Sequence, residues 1–492
     1  MSEGAASLRR LTAIAIADTD SYVKWGAALL DRAPAEWDRR MLVLDSPLRP
    51  SDAQLGAALA GTAFAAGPAD GDADPVARPA GGAVGPHPAE VVGLAGFTRR
   101  IAELRPDVVL LTARGPAVKV LLRAALQARG VRPVFVTGLP GISIPATRRA
   151  IGYRTQCDLF VVHSRREVRE FGLLAERMRL PQRFALATLP FLADRGPQDA
   201  GHSHSGGDVI FAAQAKVPVA REERLELLSW LAEAARRAPG RRVVVKVRGL
   251  PGEPQTHVER WSYPELLAEL DPAPPANLVV AGGPMAEHLD GAAGLVTVSS
   301  TAVVEAVAAG VPSLVLDDFG VSDRLINSVF VGSGLLAGSR ELVTGRFRHP
   351  DPAWLDDNYL HDPADADWAA QAAELVAARD AGMLPLRPQR FGAAGGPLRR
   401  AWDRKRALGS ADRSLSGLLA LGVGIPARGL LLIARELRAR RTAAAAAAAA
   451  AAQSAGVAGG VPSSVSSSSQ NPVGMPAAAA ASPGSASTRS SE

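Results

Sequence analysis

A single cysteine, Cys157, in 492 residues excludes an intramolecular disulfide and any cysteine-based zinc cluster, and makes a reducing compartment the simpler expectation. Phosphate-loop, zinc-protease and serine-elbow motifs are all missing, which removes three large enzyme groups from consideration. No uninterrupted apolar run reaches the roughly 20 residues needed to cross a bilayer. The most apolar stretch, SLSGLLALGVGIPARGLLLIAREL, is broken by Pro426 and Arg428. The opening MSEGAASLRRLTAIAIADTD places an apolar run after two arginines, but the run is short and ends in aspartates, so it reads as a first buried strand with no export implied. The expected location is cytoplasmic, with peripheral attachment to the inner face of a membrane as an option.

Charge is unevenly distributed. The formal charge is +6, yet between Arg387 and Arg441 there are thirteen basic residues against three acidic ones, so the rest of the chain is mildly acidic. Nucleic-acid binding by the main body is therefore not expected. An anionic surface is to be sought near 387–441.

At about 100 to 200 residues per domain, the length suggests two globular domains with additions. LTAIAIA, a helix over Val23 to Arg32 and RRMLVLD form a Rossmann-like opening. A helix over Glu90 to Leu104 follows a Gly, Ala, Pro and Asp-rich loop from about Gly61 to Pro88. PDVVLLT, a helix over Ala117 to Arg129, RPVFVTG and CDLFVVHS continue the alternation, which implies a parallel sheet. A turn-rich linker near Leu189 to Gly207 precedes a second round: DVIFAAQ, helix Arg221 to Arg237, RRVVVKVRG, NLVVAGG, GLVTVSS and PSLVLDD. The expected architecture is α/β with two doubly wound domains, over 1–190 and 205–385, a basic amphipathic helical extension over 386–441, and a disordered Ala, Ser, Gly and Pro-rich tail over 442–492.

The chemistry is concentrated in Gly294 to Asp318. A buried strand ends in Ser299, Ser300 and Thr301 and a helix starts at once, a place where backbone amides and hydroxyls can hold an anion or where Ser300 or Thr301 simply caps the helix. Thr301, Glu305, Ala306, Gly310 and Pro312 stand in the spacing T-x-x-x-E-A-x-x-x-G-x-P. This pattern resembles the nucleotide-binding signature of GT-B glycosyltransferases, and the two-domain alternation over 8–385 resembles actinobacterial glycosyltransferases of unknown specificity. The resemblance implies a helix start that holds phosphate, with Glu305 on the ribose hydroxyls and no metal or other cofactor.

A loop after VVVKVRG carries Arg248 and His257 on the ligand-facing edge of the sheet. The order of His257 and the Ser299 and Ser300 pair is similar to bacterial sialyl-, polysialyl- and capsule-type transferases, whose histidine and serines clamp a CMP-sugar phosphate. The family histidine is followed by proline; here Val258 follows. A CMP-nonulosonate donor and a cell-surface or capsule glycan or glycolipid acceptor are implied, by inverting transfer. In the first domain Asp18 and Asp20 leave the first strand and are the candidates for the base that deprotonates the acceptor. Either could instead start the helix. Lys24, Ser143 and Arg154 are expected to line the acceptor pocket, and Ser164 and Glu167 to start a helix after HSRREV. Two other readings remain open: a UDP-sugar transferase or UDP-sugar 2-epimerase on the same frame, and a non-catalytic partner of a glycan synthase.

Overall fold

The computed structural model describes residues 10–65, 87–189, 192, 206–215, 217–247, 259–390 and 396–426, with a few further helical residues up to 442. The first domain runs β1 (Thr12–Ala17), α1 (Asp20–Asp31), β2 (Asp38–Leu44), α2 (Asp52–Leu59), β3 (Glu90–Val92), α3 (Leu94–Leu104), β4 (Val108–Thr112), α4 (Gly115–Gln127), β5 (Val134–Gly138), α5 (Arg148–Gly152), β6 (Leu159–Val162), α6 (Arg165–Arg177) and β7 (Arg183–Leu186). Its seven strands are all parallel in the order β3-β2-β1-β4-β5-β6-β7. β4, β5 and β6 are buried along their whole length, as near-continuous apolar strands with helices on both faces must be.

The second domain continues with β8 (Val209–Ala212), α7 (Arg221–Arg237), β9 (Val243–Lys246), α8 (Tyr263–Ala268), β10 (Leu278–Ala281), α9 (Met285–Leu289), β11 (Gly294–Thr297), α10 (Ala302–Ala308), β12 (Ser313–Leu316), β13 (Leu336–Ala337), α11 (Ser339–Val343) and α12 (Pro352–Asp357). Its order is β10-β9-β8-β11-β12-β13, again parallel. Both sheets therefore reverse their winding once, between β1 and β4 and between β8 and β11. Each reversal opens a crevice at the carboxyl ends of the strands.

Four features differ from the sequence expectation. The helix expected over Glu90 to Leu104 begins as the edge strand β3, because Glu90, Val91 and Val92 pair with β2 before Gly93 turns the chain into α3. The strand β7 and the helix α2 were not expected, their short lengths giving little periodicity to read. The helix α13 (Trp368–Asp380), assigned by sequence to the second domain, packs into the core of the first. There Trp368 meets Trp37 edge to face, and Arg379 pairs with the buried Asp107 at 2.9 Å. Likewise α14 (Gly396–Leu408), the start of the basic extension, buries Ala407 and Leu408 in the first domain's core, and its Asp403 accepts from Lys119 of α4 at 2.7 Å. The expected loop around 66–86, the linker over 190–205 apart from Leu192, and the tail lie outside the described residues.

The two domains are joined by apolar insertion and by one buried carboxylate. Ile142 and Ile144, in the loop after β5, pack into the second domain's core beside Ile210, Ala302 and Val303. Ser164 caps α6 by accepting from the Glu167 amide at 3.0 Å. The Glu167 carboxylate accepts from the His163 amide (2.8 Å), the Ser143 amide (2.6 Å) and the Tyr359 hydroxyl of the second domain (2.7 Å). Nearer the surface, Arg169 makes a two-bond ion pair with Asp357 at 2.6 and 2.7 Å.

Burial lifts Glu167 to about 7 against the pull of its donors, and burial drops His163 to about 4. Trp25 donates to Nε2 of His163 at 2.7 Å, which leaves Nδ1 as the protonated nitrogen that donates to the Ala187 carbonyl at 2.8 Å. The two groups oppose each other in pH. Glu167 favours the folded state when protonated, so its contribution falls as pH rises from 4.5 to about 7. His163 favours the folded state when neutral, so its contribution is lost as pH falls from 6.5 to about 4. Glu167→Gln should therefore make stability rise with pH, relative to the native chain, by about 1.4 kcal/mol per pH unit between pH 5 and 6.5. Urea denaturation at several pH values measures this; parallel slopes in the two proteins would remove Glu167 from the account.

Candidate functional site

Each crevice is organised by a contact between the exits of the two strands that flank it. In the first domain, Asp18 follows β1 and Arg114 follows β4. The Asp18 carboxylate is fully buried and accepts from the Arg114 amide at 3.1 Å and from its guanidinium Nε at 2.8 Å. Burial raises Asp18 above the ordinary carboxylate range, with Arg114 pulling the other way. Asp20, at the first position of α1, is only half-buried, so it is the more accessible of the two aspartates. Lys24, one turn further along α1, is exposed.

In the second domain, Gln214 follows β8 and Ser299 follows β11. The Gln214 side-chain oxygen accepts from both the amide (3.1 Å) and the hydroxyl (2.8 Å) of Ser299. Thr297 donates to the Ala212 carbonyl at 2.9 Å and accepts from the Ser300 amide at 3.2 Å. Ser300 in turn accepts from the Ala302 amide at 3.2 Å. The serines thus shape the turn, while Thr301 stands at the cap position without a side-chain cap bond. The amide and hydroxyl of Thr301 have no hydrogen-bond partner among the described residues, and they stand at the start of α10. Glu305 is half-buried one turn further on. Gly310 closes the helix with φ +70, a conformation that favours glycine, and Pro312 leads into β12.

The loop after β5 reaches the start of α10. Gly141, in the loop after β5, lies so close to α10 that a Cβ on it would stand 3.9 Å from the Thr301 methyl group. Gly138 at the end of β5 has no such room, since a Cβ there would come within 2.6 Å of the Trp25 ring. The structure therefore brings Asp18, Asp20, Ser299, Ser300, Thr301 and Glu305 onto the strand-exit edges of the two sheets. It gives different work to Ser143 and Arg154. The Ser143 amide is held by Glu167 and its hydroxyl donates to the Gly141 carbonyl at 2.9 Å. Arg154 is buried and donates to Thr137, Tyr22, Ala113 and Ala150, so its guanidinium braces the first domain where a pocket-lining role was expected. Arg248 and His257 lie outside the described residues.

Three contributors were not singled out from sequence. Arg114 and Gln214 follow strands β4 and β8, and their position at a strand exit was the available signal. Arg224, inside α7, carried none. Its buried guanidinium donates to the carbonyls of Pro218 (2.9 Å), Gln214 (3.1 Å), Ala215 (2.8 Å) and Trp261 (2.5 Å), and it pairs with Glu259. It also lies over the Tyr263 ring, 4.8 Å from the centroid. One side chain thereby fixes the loop that carries Gln214 and the segment that follows residue 258. Arg224→Met should lower unfolding stability by about 3–5 kcal/mol, since it leaves Glu259 and four carbonyls without their donor. Chemical denaturation checks this, and a loss under about 1 kcal/mol would show that the loops are held by other means.

A family model described as "Putative glycosyltransferase (DUF6716)" matches residues 13–375, which takes in both domains. No curated protein matches the sequence. Among solved structures, the chain is similar to a "putative UDP-N-acetylglucosamine 2-epimerase" from Listeria monocytogenes, with 12% identity, 78% of this chain and 100% of that one covered, and a TM-score of 0.47. It is similar also to the glycosyltransferase of kitacinnamycin (15%, 77% and 100% covered, TM-score 0.42). A UDP-GlcNAc 2-epimerase from Neisseria meningitidis bound to UDP-GlcNAc gives 12%, 76% and 100% covered, and a TM-score of 0.41.

Proposed function

We propose that this chain, which belongs to the glycosyltransferase family matched over residues 13–375, moves a sugar from a nucleotide-sugar bound by the second domain to an acceptor hydroxyl presented by the first. The observation that supports the reading is the approach of the loop after β5, in the first domain, to Thr301 at the start of α10 in the second. In this reading the acceptor hydroxyl gives its proton to Asp20 and its oxygen attacks the anomeric carbon. The bond from that carbon to the phosphate oxygen breaks, and the electron pair leaves on the phosphate. The Thr301 amide and hydroxyl meet the developing charge, with Arg248 and His257 completing the clamp and Glu305 on the ribose. Asp18 keeps Arg114 in place beside the base. The displacement is single, hence inverting, and uses no metal. The donor proposed first is a CMP-nonulosonate, on the order of His257, Ser299 and Ser300 along the chain.

Thermal shift with CMP, CDP, UDP and GDP tests the reading. One nucleotide at a hundredfold above its dissociation constant should stabilise the native chain by about 2.7 kcal/mol. Gln214→Glu keeps the two acceptor bonds to Ser299 but adds a negative charge beside the phosphate place, so it should weaken that nucleotide at least tenfold. Asp20→Asn should retain the nucleotide and lose turnover by about a hundredfold or more, with a chelator changing neither. If no nucleotide stabilises the chain, the non-catalytic alternative takes over; free epimer formed from a UDP-sugar without acceptor would make it an epimerase.

We also propose that the end of the basic extension rests on an anionic lipid surface. No helix among the described residues is long and apolar enough to cross a membrane. A helix over 415–426, which lies between Arg413 and Arg428 in the sequence, nevertheless exposes Leu415, Leu418 and Leu419 at 78, 52 and 68%. Arg404 of α14 fixes its start by donating to Asp412 and Ser416. The native chain should cosediment with anionic vesicles at low salt and be released near 0.5 M salt, and Leu415→Ser with Leu419→Ser should weaken binding several-fold. Absence of cosedimentation at low salt would refute the lipid contact.

A further inference from the structure

Arg114 links the first crevice to a second, separate cavity. It lines a pocket of about 150 Å³ together with Arg149, Tyr153, Arg399, Trp402 and Arg406. α4 begins there, α5 ends there, and α14 forms the outer wall. That volume is several times the roughly 30 Å³ a water takes in the liquid, enough for one small oxyanion with some of its hydration. Gly115 at the start of α4 lets the Tyr153 ring lie against the helix, since a Cβ there would come within 2.4 Å of the ring. The aromatic floor therefore depends on a residue without a side chain.

The charge in the pocket is one-sided. Four arginines and one aspartate line it; Arg114 is paired with the buried Asp18 at 2.8 Å, and Asp403 is held by Lys119 at 2.7 Å and by Arg399 at 3.2 Å, which leaves the charges of Arg149 and Arg406. Arg149 and Arg406 make ring contacts only: Arg149 lies over Tyr153 and Arg406 over Trp402, 5.8 and 5.7 Å from the ring centroids. Neither guanidinium has an ion-pair or hydrogen-bond partner among the described residues. The stacked rings hold these two groups in place while their N–H donors stay available, the arrangement by which arginine takes a phosphate in two-bond fashion. The positive end of the thirteen-residue helix α4 adds to the same field.

We propose that this pocket binds a phosphate ester carried by the acceptor, so that the acceptor's phosphate sits against α14 while its hydroxyl reaches the first crevice. The acceptor's part in this statement rests on the transferase reading above; the phosphate site itself does not. Two sources share the chemistry, a water-soluble phosphoester and a lipid phosphate.

The test uses the full chain, its Arg149→Ala/Arg406→Ala variant and the Gln214→Glu variant. Both arginines are exposed, so their removal should leave the fold intact, which the unfolding midpoint checks. Titration calorimetry with inorganic phosphate, pyrophosphate and glycerol 1-phosphate forms one arm. Cosedimentation with vesicles containing phosphatidic acid, against vesicles of equal charge containing phosphatidylglycerol, forms the other. The double variant should bind phosphate at least tenfold more weakly while keeping its nucleotide response, and Gln214→Glu should do the reverse. Arginine-dependent binding of the soluble esters identifies a free phosphoester; arginine-dependent preference for phosphatidic acid without soluble binding identifies a lipid. If neither arm depends on Arg149 and Arg406, the proposal is wrong, whatever nucleotide the second domain binds. If phosphate binds through these arginines and no nucleotide binds anywhere, the pocket stands and the transferase reading falls.

Discussion

The Glu167 carboxylate is buried where the two domains meet, and three donors from three segments converge on it: the His163 amide at the exit of β6, the Ser143 amide in the loop after β5, and the Tyr359 hydroxyl of the second domain. Removing a carboxylate from water is costly, and only a full set of donors makes such a position tolerable. Each segment is thereby tied to the other two. The loop that carries Ser143 also carries Gly141 and Ile144, so the same contact that places the carboxylate sets the loop against α10 and its apolar side chain in the second domain's core. The approach of that loop to Thr301 is a consequence of that arrangement.

Within each domain a single pair does comparable work on a smaller scale. Asp18 and Arg114 bridge the reversal in the first sheet, and Gln214 and Ser299 bridge it in the second. The pairs differ in charge. The first domain meets its crevice with an ion pair that reaches on toward a basic pocket, and the second meets it with neutral hydroxyls and amides. In the transferase reading the donor phosphate belongs to the second, where the Thr301 N–H and O–H have no hydrogen-bond partner among the described residues. Arg224 supports this from behind, holding the Gln214 loop by its carbonyls.

The basic C-terminal region is divided in two by packing. α14 belongs to the first domain's core through Ala407, Leu408 and the Lys119–Asp403 pair, and it closes the wall of the arginine pocket. The helix over 415–426 instead turns leucines outward. Thirteen basic residues in one stretch look like one feature in sequence, yet Arg399 and Arg406 line a defined pocket, while the apolar, exposed helix over 415–426 carries no charge of its own.

The sequence by itself determined the two-sheet architecture, because strands such as VVLLT and LFVV are apolar at every position and can be stable only between two layers of helix. It also located the turn from Ser299 to Glu305, since hydroxyls, glutamate, glycine and proline follow one another there at fixed local spacings, and it identified Ser164 and Glu167 as a helix start. What it could not reach was any relation across the chain. α13 and α14 follow the second domain in sequence and pack on the first, because chain order does not say which core has room for Trp368 or Leu408. Arg154 has the composition of a pocket residue and is a buried brace, while Arg114 and Gln214 lie in unremarkable sequence and organise the crevices. These roles depend on which groups lie within about 3 Å after folding, and the hydrogen bond, unlike hydrophobic periodicity, leaves no repeat along the chain from which to read it.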